Sequence, residues 1–246
     1  MKTLKALFGA AVVVLISGSA FADLKIVKIE HTDGFSAMGR TTPPVDHEQV
    51  TWIGNDRMRS DKGDTSTIIR LDQKKLYVLN HDEKTYNTLD LPIDIKKFLP
   101  PGMAEQMMSM MTFEVTVTPV DETKMVGEWK ARRYDVAMKS QMADIAMTMW
   151  ATTDADFDKE AYYAMYEHLN SMSPGLEKMV DEMRKIDGLV IAEEGVTTMK
   201  VMGNTTIKRD STASSIDDLD APSGTYDPPA DYTEKPFDFM GAMQRQ

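Results

Sequence analysis

Two stretches decide the fold: Thr112-Phe113-Glu114-Val115-Thr116-Val117-Thr118, and Arg133-Tyr134-Asp135-Val136-Ala137-Met138-Lys139. In the first, Phe113, Val115 and Val117 alternate with polar residues. In the second, Tyr134, Val136 and Met138 do the same. A period of two puts one face on a core and the other in water, the pattern of antiparallel strands. Outward from this pair, Asp144–Thr152 differs. Ile145, Met147 and Met149 share a face and Trp150 lies on the other, so both faces of that strand are expected to be covered.

Upstream, Leu24–His31 reads as a strand and residues 32–46 as a loop. Short strands are then expected at Gln49–Gly54, Arg57–Ser60, Ser66–Leu71, Lys75–Asn80 and Thr85–Leu89. The links between them, such as Asp61-Lys62-Gly63-Asp64 and His81-Asp82-Glu83, are too short for parallel crossovers, so hairpins follow. Pro92–Leu99 has room for a helical turn or two, and Pro100-Pro101-Gly102 breaks the chain. Met103–Met111 reads as a short helix with Met103, Met107, Met110 and Met111 on one face. Residues 153–187 read as two helices. Asp154 or Asp156 can cap the first, and Ser173, Pro174 and Gly188 bound the second. Gly188–Glu193 returns to strand. Val196–Met202 and Thr205–Asp210 are expected as a hairpin around Gly203-Asn204. From Ser211 the composition turns to Ser, Asp, Pro and Gly, and regular structure is expected to end. The fold class is therefore α+β: a curved, mostly antiparallel sheet packed against two or three helices.

The first 22 residues read as an export signal. Lys2 and Lys5 precede an apolar run from Ala6 to Ile16, and Ala20-Phe21-Ala22 is the small-x-small pattern of a cleavage site after Ala22. The run is too short for a membrane span. The expected organisation is a signal peptide at 1–22, one domain at 23–212 and an acidic, Pro-rich tail at 213–246. The expected address is the periplasm, with no stable membrane anchor. Of 28 basic and 39 acidic residues, Lys2 and Lys5 lie in the signal, leaving 26 − 39 = −13 in the remainder. That charge argues against nucleic acid as a partner. Strands of five to seven residues, interrupted by helices, argue against an outer-membrane barrel.

The chain has no cysteine, which excludes disulfides, thiolate metal sites and a Cys nucleophile. His31, His47, His81 and His168 form no close metal pair. Asp154-x-Asp156-x-Asp158 begins like a calcium loop but has Lys159 at the sixth position and Met165 at the twelfth, so it fails. No G-x-S-x-G, P-loop or G-x-G-x-x-G motif occurs. No cofactor, resident metal or catalytic residue is expected, and the chain reads as no enzyme.

The order of motifs resembles an exported bacterial family. Asp56-Arg57-Met58-Arg59, Lys74-Lys75-Leu76-Tyr77 and Lys84-Thr85-Tyr86 run through the first half. Thr123-Lys124-Met125-Val126-Gly127, Tyr134-Asp135-Val136 and Met149-Trp150 run through the second. This is similar to domain-of-unknown-function family 4412, over roughly residues 24–200. The departure is at Glu128-Trp129-Lys130-Ala131, where the family more often has Tyr-x-Cys, so any thiol role of the family is absent here. The resemblance adds to the curved sheet the form of a half-open barrel: it implies a fold like that of the periplasmic lipoprotein carrier LolA, in which a half-open sheet uses an apolar hollow for acyl chains. It supplies no catalytic residue.

Methionine is the unusual quantity: 21 in 246 residues. Met fills cores, but it also repacks around varied apolar ligands. The expected function is therefore an exported binding protein for an apolar or amphipathic molecule such as a lipid, its protein partners unknown. The expected ligand-binding residues are Met103, Met107, Met110, Met111, Met147, Met149, Met179 and Met183. The alternatives are Cu(I) or Ag(I) sequestration by thioethers around Met107-Met108-Ser109-Met110-Met111, or a structural or assembly role in the envelope.

Overall fold

A computed structural model describes residues 23–37, 39–99, 102–105, 112–169 and 176–237. The expected signal peptide lies outside these residues. Fourteen strands alternate with few helices. In chain order they are β1 (Leu24–Thr32), β2 (Phe35–Ala37), β3 (Arg40–Thr42), β4 (Val45–Ile53), β5 (Arg57–Lys62), β6 (Thr65–Arg70), β7 (Lys75–Asn80) and β8 (Thr85–Asp90). Then come β9 (Glu114–Val126), β10 (Trp129–Lys139), β11 (Ala143–Thr152), helices α1 (Lys159–Leu169) and α2 (Leu176–Met183), β12 (Leu189–Met199), β13 (Thr205–Asp218) and β14 (Thr233–Glu234). Twelve strands make one sheet in the order β14-β8-β7-β6-β5-β4-β1-β13-β12-β11-β10-β9, and β2 and β3 form a separate hairpin. Every neighbouring pair in the large sheet is antiparallel except β14 on β8, which is parallel. The sheet is open: β14 and β9 are its edges.

The sheet also curls. Ser60 on β5 and Met138 on β10 line one cavity, although six strand spacings separate them in sheet order. In a flat sheet they would stand roughly 29 Å apart, at ~4.8 Å per strand.

Several elements outrun their sequence-based bounds. β9 reaches Val126 rather than stopping at Thr118. Pro119, which reads as a stop, is carried because β9 is an edge and because the β9–β10 register shifts between Arg132 and Tyr134, opposite the proline. The expected loop at 32–46 holds the β2–β3 hairpin, turned at Gly39 with φ +77°, and β4 begins at Val45. Gly188–Glu193 and Val196–Met202 are not two strands: β12 runs unbroken from Leu189 to Met199, and Lys200–Met202 is a 3-10 turn leading to Gly203 and Asn204, both at positive φ. β13 continues to Asp218, past the end expected near Ser211, because Ser211 and Ala213 still alternate inward and are buried. Beyond it, residues 219–232 lie along the outer face of β4–β8, residues 233–234 join the sheet as β14, and Phe237 packs on Phe98. Tyr226 is buried among Trp52, Ile68 and Leu79 there.

The helices begin and end where local chemistry requires. Asp158 Oδ1 accepts from Ala161 N–H at 3.0 Å, making Asp158 the cap of α1. Asp154 is used elsewhere, accepting from Lys130 N–H at 2.9 Å. After α2, Gly188 sits at φ +92°, and a Cβ there would lie 2.0 Å from the Thr152 carbonyl oxygen. No other residue can make that turn. Met165 of α1, and Ile186 just after α2, are fully buried against the sheet. Among the described residues no helix is long and apolar enough to cross a membrane.

Candidate functional site

The inward faces of three adjacent strands set up the site. On β1 they read Leu24, Ile26, Lys28, Glu30; on β4 Ile53, Thr51, Gln49; on β5 Met58, Ser60, Lys62. Register aligns them in rows: Leu24 opposite Ile53 and Ile53 opposite Met58; Ile26 opposite Thr51 and Thr51 opposite Ser60; Lys28 opposite Gln49 and Gln49 opposite Lys62. The strands are thus apolar at one end and polar at the other, in step. Between this surface, the far wall on β10–β12 and the two helices lies a cavity of about 430 Å³. This falls within the roughly 300–1,000 Å³ range of small-molecule sites.

Its apolar wall comes from Ile26, Ile53 and Met58 on one side and Met138, Met149, Leu189 and Val190 on the other. Phe157, Met179, Val180 and Met183 close it from the helical side. Its polar end carries Lys28, whose Nζ donates to Glu193 Oε1 at 3.1 Å, and Glu30, which accepts from Lys62 Nζ. Gln49 Nε2 donates to Ser60 Oγ at 2.8 Å. Lys28 and Glu30 are largely buried, with side chains 17% and 13% exposed. A register shift between Val27 and Lys28 in the β1–β13 pairing falls beside this end, as bulges near sites often do.

Three tyrosines of α1 face the same space. Tyr162 Oη donates to Tyr166 Oη at 3.0 Å, and Tyr163 Oη donates to the Met183 carbonyl at 2.6 Å, tying α1 to the end of α2. Burial holds the Tyr162 and Tyr166 hydroxyl protons above their ordinary range and pushes Tyr163 up to about 12. These hydroxyls are neutral hydrogen-bonding groups throughout the physiological range. The Tyr166 proton faces no acceptor among the described residues.

The expected ligand-binding methionines separate here. Met149, Met179 and Met183 line the cavity. Met147 packs against the neighbouring cluster of Val117, Tyr134 and Val136. Met103 is 43% exposed, in the helical residues 103–105, and does not line the cavity. Met107, Met110 and Met111 lie outside the described residues, as does the rest of the thioether run. The sequence reading missed Met58, Met138, Lys28, Glu193 and the tyrosines. A signal for three of these existed: Tyr162 and Tyr166 stand four apart on one helix face, and Lys28 continues the inward period of Leu24 and Ile26.

Two other groupings offer less. A broader trough of about 790 Å³ lies on β9–β13, lined by Thr118, Arg133, Asp135, Thr148, Glu194 and Asp210 among others. It is wide and open, and of the basic residues that line it, Arg133 is engaged by Asp135 and Glu122, both at 2.8 Å. The second grouping is Ser66 Oγ, 2.6 Å from His81 Nε2, with Asp61 against the same hydroxyl. Ser66 is only 1% exposed, and His81 Nδ1 is held by Tyr232 Oη at 2.7 Å. This chain of contacts fastens the C-terminal segment and leaves no room for a substrate at Ser66. Among the described residues no group of three or more His, Asp or Glu could hold a metal ion.

No family model matches this chain, and no curated protein matches it. Among solved structures, one described as PNGF-II in a C2 space group aligns over 91% of this chain and 32% of its own, at 9% identity and a TM-score of 0.40. The chain thus spans about a third of that protein's length, and a likeness this distant carries no argument about fold or function.

Proposed function

We propose that the protein is an exported binding protein for an apolar or amphipathic small molecule, held between the curled sheet and α1 and α2. The observation that carries the reading is the cavity of about 430 Å³, with methionine, isoleucine and aromatic walls and a polar end. Well-packed interiors hold few voids larger than a water molecule, so a largely apolar space of this size, open to solvent on one side, is suited to an occupant. Met58, Met138, Met149, Met179 and Met183 supply soft, adaptable lining suited to chains of varied shape. The open, curled antiparallel sheet is consistent with a half-open barrel. Export rests on Lys2, Lys5, the apolar run and Ala20-Phe21-Ala22.

The test is a titration of the purified protein with the neutral fluorophore N-phenyl-1-naphthylamine. Saturable, blue-shifted emission at micromolar probe is expected. It should be abolished by Val180→Trp, which fills the space from α2, and kept by Thr118→Val on the outer trough. Emission that never saturates, or that survives filling of the cavity, overturns the proposal.

A further inference from the structure

The polar end of the cavity is charge-balanced, and that balance selects a headgroup. Lys28 is taken by Glu193 and Lys62 by Glu30. A carboxylate or phosphate entering beside them would find no unpaired cation. It would have to displace Glu193 from Lys28 and leave that carboxylate, 35% exposed, without its partner beside a second negative charge, at the cost of the charge-assisted hydrogen bond between them. An uncharged head with hydroxyl groups meets the opposite situation. Glu193 and Glu30 each keep lone pairs able to accept its protons. Lys28 keeps two N–H donors beyond the one given to Glu193, and the Tyr166 hydroxyl proton is uncommitted among the described residues. The row order fixes the orientation, because the tail must lie toward Leu24, Ile53 and Met58 and the head toward Lys28, Gln49 and Glu30.

We infer that the cavity takes an uncharged, hydroxyl-bearing, single-chain amphiphile, of the monoacylglycerol or long-chain alcohol class, in preference to a fatty-acid anion. This rests on the binding reading above and adds to it the chemistry of the head. One chain is the limit set by the volume.

The experiment is displacement of N-phenyl-1-naphthylamine from the full chain by monolaurin and by laurate, at mildly alkaline pH and below the concentrations at which either aggregates. Monolaurin is expected to displace the probe at roughly a tenth of the laurate concentration or less, the factor of a charge-assisted hydrogen bond lost or kept. Glu193→Gln releases Lys28 while keeping shape. It should improve laurate displacement about tenfold and weaken monolaurin a few fold, because the amide accepts the head's protons through one neutral oxygen. Laurate binding as tightly as monolaurin, or neither displacing a probe that does bind, overturns the headgroup assignment and leaves the cavity standing. An unmoved laurate affinity in Glu193→Gln, with circular dichroism unchanged, also overturns it. Failure of the probe itself to bind is the separate failure of the binding reading.

Discussion

One sheet is covered in two ways, and the two coverings leave different interiors. Over the outer face of β4–β8 runs a segment of successive turns, residues 219–232, closed by bonds such as Thr225 N–H to the Pro222 carbonyl and Tyr232 N–H to the Pro229 carbonyl. It presses Tyr226 onto Trp52, Ile68 and Leu79, the last two fully buried. Arg59 Nη1 donates to the Thr225 carbonyl at 3.0 Å, and Arg70 Nη1 reaches Asp227 at 2.6 Å. Over the concave side lie α1 and α2, and beneath them is the cavity. A chain of short turns changes direction every few residues, so it can set Ala221, Tyr226 and Tyr232 directly onto the strands it covers. A helix is a rod about 10 Å across and does not follow a curled sheet. Its side chains touch the two walls and leave the middle open. The covering that matches the sheet stabilises it, and the one that does not makes room for a ligand.

The contrast predicts unequal costs for similar truncations. Tyr226→Ala, in the filled region, should cost about 3–5 kcal/mol of unfolding free energy in urea, the largest effect proposed here. Ile68→Ala, beneath it, should cost about 4 kcal/mol, because nothing nearby can relax into the hole. Met183→Ala, beside the cavity, should cost only about 1–2 kcal/mol, close to the transfer of its own atoms, since it already lacks partners on one side. Equal costs for Ile68→Ala and Met183→Ala would mean that the two interiors are packed alike, and the comparison would break.

The difference between the two regions also explains what could be read in advance. Phe113, Val115 and Val117 announce their strand because each meets the core at every second position. The body of the sheet is legible from such runs, and so are the two helices with the Gly188 stop. The C-terminal covering was not, because its cohesion comes from Tyr226 and Tyr232 set among Ser, Asp, Pro and Gly, and from backbone bonds such as Thr233 N–H to the Lys84 carbonyl. Nothing local marks a run of turns that gains its partners from strands more than a hundred residues earlier. The cavity was half legible. The methionine excess pointed to apolar lining, and Met149, Met179 and Met183 do line the cavity. Its polar end depends on which residues of β1, β4 and β5 share a row, and hairpin register set that.

The two sheet edges are handled differently as well. β14 pairs with β8, whereas β9 is met by a side chain: Val117 N–H donates to Glu182 Oε2 of α2 at 2.9 Å. Glu182 also holds Lys185, and these two contacts, Lys185 first, keep its carboxyl below the usual range. Glu182→Ala should lower Tm by roughly 2–4 °C and raise the aggregation rate, because an unpaired strand edge invites pairing with another chain. Glu182→Gln, which still accepts from Val117, should recover most of both. A Tm unchanged in Glu182→Ala would show that α2 does not guard this edge.

The smallest expected effect lies at the joint between the helices. The Tyr163 hydroxyl donates to the Met183 carbonyl, and burial raises its native pKa from the ordinary 10.0 to about 12. Below pH 10 both folded and unfolded chains keep this proton, and the stabilisation is fully present. Between pH 10 and about 12 the unfolded chain loses it first, so stability falls as pH rises, until the native group ionises too. Tyr163→Phe removes both the hydrogen bond and the titration. At neutral pH it should cost about 1 kcal/mol, and the decline in urea midpoint above pH 10 should become shallower than in the parent. The same decline in both proteins would assign the alkaline sensitivity to the other tyrosines that burial raises, Tyr162 and Tyr166 of α1 and Tyr226 under the C-terminal segment, and Tyr226→Phe would then tell the lid of the cavity from that segment.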